Sequence, residues 1–125
     1  MDKIKTFEDL NCWKAAREVR KQVSILIKEF PSYEKFELAS QMRRASRSVT
    51  HNIAEGYGRF HFKENAQFCR VSRGSLYELQ DQLITALDEG YIDEDRFREM
   101  RLKVVECTTI LNGYIKYLKS AENNY

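Results

Sequence analysis

Hydrophobic residues recur at helical spacing in four successive stretches of the chain, which predicts helices over about residues 7–29, 33–55, 63–89 and 94–120. Within each stretch the apolar residues share one side of the helix. The four predicted inward sets are Leu10, Trp13, Ala16, Val23, Ile27 and Phe30; Leu38, Met42, Ala45, Val49 and Ile53; Phe68, Val71, Ser72, Ser75, Leu76, Leu79, Leu83 and Ala86; and Phe97, Met100, Val104, Cys107, Leu111, Ile115 and Leu118. Four amphipathic helices joined by short loops are typical of an all-α, up-down-up-down antiparallel four-helix bundle. We therefore predict a single domain over residues 1–125.

Turn-forming residues set the expected helix ends. Pro31 is the only proline in the chain, so it is predicted to end the first helix, and Ser32 is predicted to cap the second. Gly56 and Gly58 are predicted to end the second helix, because glycine readily adopts the positive φ found at helix C-termini. Asp93 is predicted to cap the fourth helix.

The third and fourth helices also carry apolar and small residues on the side away from the predicted core. A glycine inside a helix costs up to about 1 kcal/mol relative to alanine, so glycines on this side indicate where another helix comes close. The pattern favours the subunit interface of a homo-oligomer over scattered surface hydrophobes. The predicted interface residues are Gly74, Tyr77, Ile84, Leu102, Ile110, Gly113 and Tyr117, with Ala66 and Thr109 on the same side.

Charge is distributed unevenly along the chain. The net charge is only +2, which is far from the dense basic footprint of a dedicated nucleic-acid-binding protein. Residues 1–60 nevertheless carry twelve Lys and Arg against eight Asp and Glu, whereas residues 61–125 carry nine against eleven. The basic excess therefore lies in the first two predicted helices.

The second predicted helix concentrates this excess. Arg43, Arg44 and Arg47 lie outside its inward stripe, and Arg59 follows at its end. Arginine suits phosphate, and the aromatic residues near Arg59 suit unpaired bases. These residues are candidates for binding RNA or DNA, with Arg70 and Arg73 of the third helix in support. A solvated basic face or an intersubunit salt bridge explains the same arginines equally well.

Polar residues near the junction of the second and third helices form a second candidate group. Asn52, Glu55, Gly56, Ser75 and Glu78 are predicted to act as a structural latch that fixes this junction, with Asn52 bonding to loop backbone. Arg59 or an arginine of the third helix is the candidate partner for Glu55. A binding site is the alternative interpretation of the same residues.

Catalytic and metal-binding patterns are missing from the sequence. A di-metal bundle needs Glu-x-x-His on two helices, and the chain has neither this motif nor a P-loop nor a nucleophile elbow. His51 and Glu55 are spaced one helical turn apart, which is typical of a hydrogen-bonded surface pair. We therefore expect a protein that is not an enzyme and that needs no cofactor and no metal.

Three cysteines, Cys12, Cys69 and Cys107, lack metal or redox spacing. Each lies in or beside an apolar helical pattern, so packed thiols are predicted. The odd count, with no signal peptide and no apolar run of membrane-spanning length, indicates a reduced, cytoplasmic protein without membrane contact.

Several blocks of the chain resemble a family of small four-helix-bundle proteins named after intervening sequences of bacterial 23S ribosomal RNA genes. The matching blocks are Phe30-Pro31, Ser40-Gln41-Met42-Arg43-Arg44-Ala45, Ser48-Val49, Asn52-Ile53-Ala54-Glu55-Gly56 with Gly58-Arg59, then Phe68 and Arg73-Gly74-Ser75-Leu76-Tyr77-Glu78-Leu79, and near the start Phe7, Leu10, Trp13 and Ala16. The resemblance spans nearly the whole chain. It departs from the family at His51, where many relatives carry proline or a small residue.

This resemblance implies a bundle that assembles into a five-fold barrel, a homopentamer. Relatives include accessory proteins of diversity-generating retroelements, which are basic and bind a reverse transcriptase and nucleic acid. The near-neutral charge of this chain separates it from them. Two hypotheses follow: a non-catalytic oligomer that binds RNA or DNA, or a protein-binding scaffold that holds a partner enzyme without touching nucleic acid.

Overall fold

The computed structural model describes residues 3–123, and the predicted domain limits at 1 and 125 lie outside them. The helices are α1 (Asn11–Leu26), α2 (Leu38–Gly58), α3 (Phe62–Asp88) and α4 (Glu94–Asn123), with 3-10 turns at Phe7–Asp9, Ile27–Glu29 and Ser32–Glu34. No strand occurs within residues 3–123. The prediction of an all-α four-helix bundle is confirmed.

The four helices pack as a closed square, since each helix contacts the next and α4 contacts α1. Ser72 on α3 donates to the carbonyl of Val49 on α2 at 2.8 Å, and Arg73 on α3 donates to Asn112 on α4 at 2.9 Å. The predicted stripes of α2 and α4 are buried almost throughout, so their apolar residues form the shared core. Among residues 3–123, no helix combines the length and apolar character that crossing a membrane requires.

The start of the second helix differs from the prediction. α2 begins at Leu38, and Ser32 opens a 3-10 turn instead of capping the helix. The carboxylate of Glu34 accepts a hydrogen bond from the backbone N–H of Leu38 at 3.2 Å and satisfies one of the free donors of the first helical turn. The fourth helix begins as predicted, because Asp93 accepts from the backbone N–H of Arg96 at 2.8 Å.

The predicted glycine stop after the second helix is wrong. α2 continues through Gly56 to Gly58, and neither glycine has a positive φ. Gly56 is buried where α2 meets α3, and a Cβ there would lie 2.8 Å from Asn65 Oδ1 and 2.9 Å from Phe68 Cβ. Glycine is therefore needed at position 56 for close approach of two helices. The chain reverses instead at Phe60, which has a φ of 59°.

Two residues of α3 lie on the opposite side from the one predicted. Ala66 is only 2% exposed, whereas Val71 is 54% exposed. The buried stripe of α3 runs through Cys69, Ser72 and Leu76. Val71 is rotated by about 100° from its neighbour Ser72 on a helix with 3.6 residues per turn, so it leaves the core.

Candidate nucleic-acid interface

The predicted arginines of α2 lie together along its outer side. Arg44 and Arg47 are exposed and Arg43 is half-buried, because Met42, Ala45 and the rest of the inward stripe hold the opposite side of the helix in the core. Within residues 3–123, none of these three arginines forms an ion pair. Their charges are therefore not neutralised inside the protomer.

Helix α1 adds cations that the sequence did not single out. Arg20 donates to the hydroxyl of Thr50 on α2 at 3.0 Å, which brings it across the α1/α2 seam. The guanidinium of Arg17 lies 5.8 Å from the centre of the Trp13 ring. We define the basic face as Arg17 and Arg20 of α1 with Arg43, Arg44 and Arg47 of α2.

A shallow groove of about 550 Å³ runs along this seam. We call it the Trp13 groove. Its lining consists of Phe7, Trp13, Arg20, Arg47, Ser48, Thr50, His51, Asn52 and Ala54. Among the described residues this lining includes two arginines and a histidine but no carboxylate, so an anion entering the groove meets no negative charge of the lining.

The positive charge of the bundle is concentrated on the helix pair α1 and α2. Between them α1 and α2 carry seven Lys and Arg against two Asp and Glu, whereas α3 and α4 carry nine against nine. Both carboxylates of the first pair have hydrogen-bond partners: Glu18 accepts from Gln22 at 3.0 Å, and Glu55 pairs with Arg59 at 3.2 Å. One side of the bundle is consequently basic and the other is close to neutral.

The remaining predicted arginines are not part of this group. Arg59 is held by Glu55 and lies 5.2 Å from the centre of the Phe68 ring. Arg73 bonds to Asn112 of α4, and Arg70 lines a cleft with Lys119 of α4. Arg70 and Arg73 therefore face the α3/α4 side, and the structure does not bring all six arginines into one patch.

The predicted latch is divided among separate contacts. Asn52 donates to the carbonyl and hydroxyl oxygens of Ser48 on its own helix at 2.9 and 3.0 Å, not to loop backbone as predicted. Ser75 of α3 donates to the same Ser48 hydroxyl at 2.9 Å and joins the two helices. Glu78 instead accepts from Gln82 along α3 at 3.1 Å. The junction is fixed by this serine pair and by the close approach at Gly56.

A buried polar group that the sequence did not reveal lies at the same end of the bundle. Asn65 donates to the hydroxyl of Tyr114 at 3.0 Å, and its side-chain oxygen accepts from the Cys69 thiol at 3.5 Å. Asn65 and Tyr114 line an apolar cavity of about 660 Å³ beside Leu10 and Tyr57. From the sequence alone, an asparagine near the start of a helix is expected to be exposed. The burial of Asn65 becomes evident only from the packing of α3 on α4.

All but one of the predicted interface residues of α3 and α4 are exposed on the protomer. The exposed large hydrophobic residues of the described chain include Tyr77, Ile84, Leu102, Ile110 and Tyr117. Open space surrounds Gly74 and Gly113, where an added Cβ would meet no atom within 4 Å. Ala66 is the exception, because it is buried in the protomer core.

The cysteines are packed thiols, as predicted. Cys12, Cys69 and Cys107 are free and buried, and desolvation raises the pKa of each thiol to about 12. In the described residues no group of three or more His, Cys, Asp and Glu side chains is arranged to hold a metal ion. His51 and Glu55 form no hydrogen bond with each other, since Glu55 pairs with Arg59.

Comparison with known proteins agrees with this architecture. The sequence profile of the 23S rRNA-intervening sequence protein family matches residues 8–113. A crystal structure of a protein of unknown function from the S23 ribosomal protein family of Bacteroides thetaiotaomicron superposes with a TM-score of 0.77 at 18% identity, covering 84% of this chain and 95% of that one. At that identity the likeness concerns the fold. No curated protein matches the sequence.

Proposed function

The chain belongs to the 23S rRNA-intervening sequence protein family, and we propose that it is a non-catalytic homo-oligomer that binds RNA or DNA through its basic face. Arg44 and Arg47 would contact phosphate directly, with Arg43, Arg17 and Arg20 beside them. Guanidinium groups match the geometry of phosphate oxygens and stay charged at every physiological pH.

The observation that carries this proposal is the separation of charge from exposed apolar surface. Exposed large hydrophobic residues cluster on α3 and α4, whereas within the helices α1 and α2 the only one is Ile25. The cationic excess lies on α1 and α2. Surface with no net charge and with exposed tyrosines is suited to subunit contacts, because aromatic residues are enriched at protein interfaces. Each helix pair thus has the surface that its proposed role requires.

Assembly through α3 and α4 would leave the basic faces outside and repeat them around the oligomer. A pentamer, as the family resemblance implies, would present five copies. Repetition raises the effective concentration of weak phosphate contacts along one strand. It offsets the small net charge of a single protomer, which is +2.

The test measures binding of a fluorescently labelled RNA and DNA of about 20 nucleotides by anisotropy, in low salt of about 50 mM. The double variant Arg44→Glu/Arg47→Glu is expected to lose binding at least about 100-fold, because two attractive contacts become repulsive. Unchanged affinity would remove both residues from the site.

The matched control is Arg98→Glu/Arg101→Glu on α4, which changes the net charge by the same amount. Both side chains are exposed on α4, and the ion pairs of Arg98 with Glu94 and Asp95 are surface pairs, which contribute little to stability. Its binding is expected to stay within about threefold of the unsubstituted protein, because long-range repulsion is screened by salt. Equal losses in both variants would mean that net charge, and not the basic face, governs binding.

A protein-binding scaffold remains the second candidate, favoured by the exposed aromatic residues Tyr33 and Phe36 between α1 and α2, outside the predicted subunit interface. Aromatic residues are enriched at protein interfaces. A partner protein that stays bound after nuclease treatment, and is lost on substituting these two residues but not Arg44, would favour this candidate.

A further inference from the structure

The Trp13 groove combines an aromatic wall with a cationic edge. Phe7 and Trp13 meet edge to face with ring centres 5.3 Å apart, and Arg17 lies over the Trp13 ring. Arg20 and Arg47 line the same groove from the two helices. We propose that this groove holds one unpaired nucleotide of a bound strand, with the base against the Trp13 and Arg17 planes and the phosphate beside Arg20 and Arg47. This inference rests on the proposed function.

The base would find a preformed stacking surface. Trp13 is half-buried and packed against the core, so its ring loses little conformational freedom on binding. The guanidinium of Arg17 lies over the ring at 5.8 Å from its centre, so a base would stack on the outer side of Arg17 or displace it from the indole. Both a guanidinium and an indole stack on the face of any base. Stacking of this kind tolerates different bases.

The phosphate would find two arginines, Arg20 and Arg47, that form no ion pair with a carboxylate within residues 3–123. Arg20 is oriented by its hydrogen bond to Thr50, which leaves other guanidinium N–H groups for an anion. The groove also offers the imidazole of His51.

The partial burial of the Trp13 ring favours a single strand over a duplex. In a duplex the base faces are already stacked on one another, and extruding a base costs free energy. A duplex would therefore reach only the protruding side chains Arg44 and Arg47, whereas a flexible strand would place a base in the groove.

Trp13 is the only tryptophan of the chain, so its fluorescence reports on this groove alone. The unsubstituted protein is titrated with an oligoadenylate of about 12 nucleotides and with a duplex of the same length. The oligoadenylate is expected to quench Trp13 and to bind about tenfold more tightly than the duplex, which is expected to leave the fluorescence unchanged. Adenosine monophosphate at high concentration should also quench, and ribose 5-phosphate should not.

Two variants test the stacking contact by anisotropy of the labelled oligoadenylate. Trp13→Leu is expected to weaken single-strand binding by roughly 5- to 100-fold and to leave duplex binding unchanged. Trp13→Phe keeps an aromatic ring and should retain affinity within about threefold. The Phe variant and the quenching experiment keep the test valid if the Leu variant folds poorly.

The outcomes separate this inference from the proposed function. Equal affinity for both probes without any change in Trp13 fluorescence would overturn the groove site and leave nucleic-acid binding by the basic face intact. Failure of every oligonucleotide to bind in low salt would overturn both. Quenching by the monophosphate alone would support the groove as a nucleotide site and overturn the proposal of strand binding.

Discussion

Replacing Gly56 with alanine adds one methyl group at the closest approach of α2 and α3. The new Cβ would lie 2.8 Å from Asn65 Oδ1, 2.9 Å from Phe68 Cβ and 3.0 Å from the backbone oxygen of Asn65. Side-chain rotation alone does not relieve these contacts, because one of the atoms belongs to the α3 backbone. The helices must separate by a few tenths of an ångström, or α3 must shift along α2.

Two effects of opposite sign set the size of the change. Alanine favours a helix over glycine by up to about 1 kcal/mol. Overpacking a well-filled contact costs about 1–3 kcal/mol. The shift also disturbs Asn65, which holds Tyr114 and Cys69 in the core. We expect a net loss of about 1–2 kcal/mol in the free energy of unfolding, or a fall of roughly 3–10 °C in melting temperature.

Gly58→Ala is the matched control, since Gly58 lies on the same helix and an added Cβ there meets nothing within 4 Å. It is expected to unfold at the same urea concentration as the unsubstituted protein, or a higher one. Circular dichroism in urea at one fixed protein concentration compares the two, because the stability of an oligomer depends on concentration. A Gly56→Ala protein as stable as Gly58→Ala would refute the close-approach explanation.

Three further predictions concern the interface, the thiols and one buried hydrogen bond. Ile84→Glu on α3 is expected to lower the mass of the oligomer measured by light scattering, whereas Ile25→Glu on α1 should leave that mass unchanged. The two side chains are similarly exposed on the protomer, at 42% and 50%. Equal effects of the two substitutions would argue against an α3/α4 interface. At pH 8 the thiols of the native protein should react with a thiol reagent about a thousandfold more slowly than those of the unfolded protein, because burial raises the pKa values of Cys12, Cys69 and Cys107 to about 12. Rapid labelling of one of these cysteines in the folded protein would contradict their packing. Ser72→Ala removes the 2.8 Å bond to Val49 and should cost about 1 kcal/mol in urea unfolding, with no loss at all indicating that the bond is dispensable.

The hydrophobic pattern was sufficient to predict the four helices because each buries one continuous stripe. It did not predict the start of α2. Glu34, Lys35 and Glu37 are good helix formers, so propensity favours a helix through them. Contacts from elsewhere in the chain compete with that preference, since the hydroxyl of Tyr91 donates to the Glu34 carboxylate at 2.6 Å. A local sequence pattern cannot predict a contact between residues that lie so far apart in the chain.

Gly56 shows a different limit of sequence reasoning. A glycine near a helix end is equally compatible with a positive φ and with a close helix contact, and only the packing decides between them. The residues of the candidate site likewise differ in whether the sequence alone can identify them. Arg43, Arg44 and Arg47 could be identified because they lie on one helix. Trp13 and Arg20 could not, because their place beside Arg47 depends on how α1 lies against α2.

The salt dependence of RNA binding tests the proposed function most directly. The logarithm of the binding constant is plotted against the logarithm of salt concentration for the unsubstituted protein and for Arg44→Gln/Arg47→Gln. Contact between the basic face and phosphate predicts a steep negative slope that becomes shallower by about one unit for each phosphate contact removed. A slope near zero, or the same slope in both proteins, would contradict the proposal that these arginines bind nucleic acid.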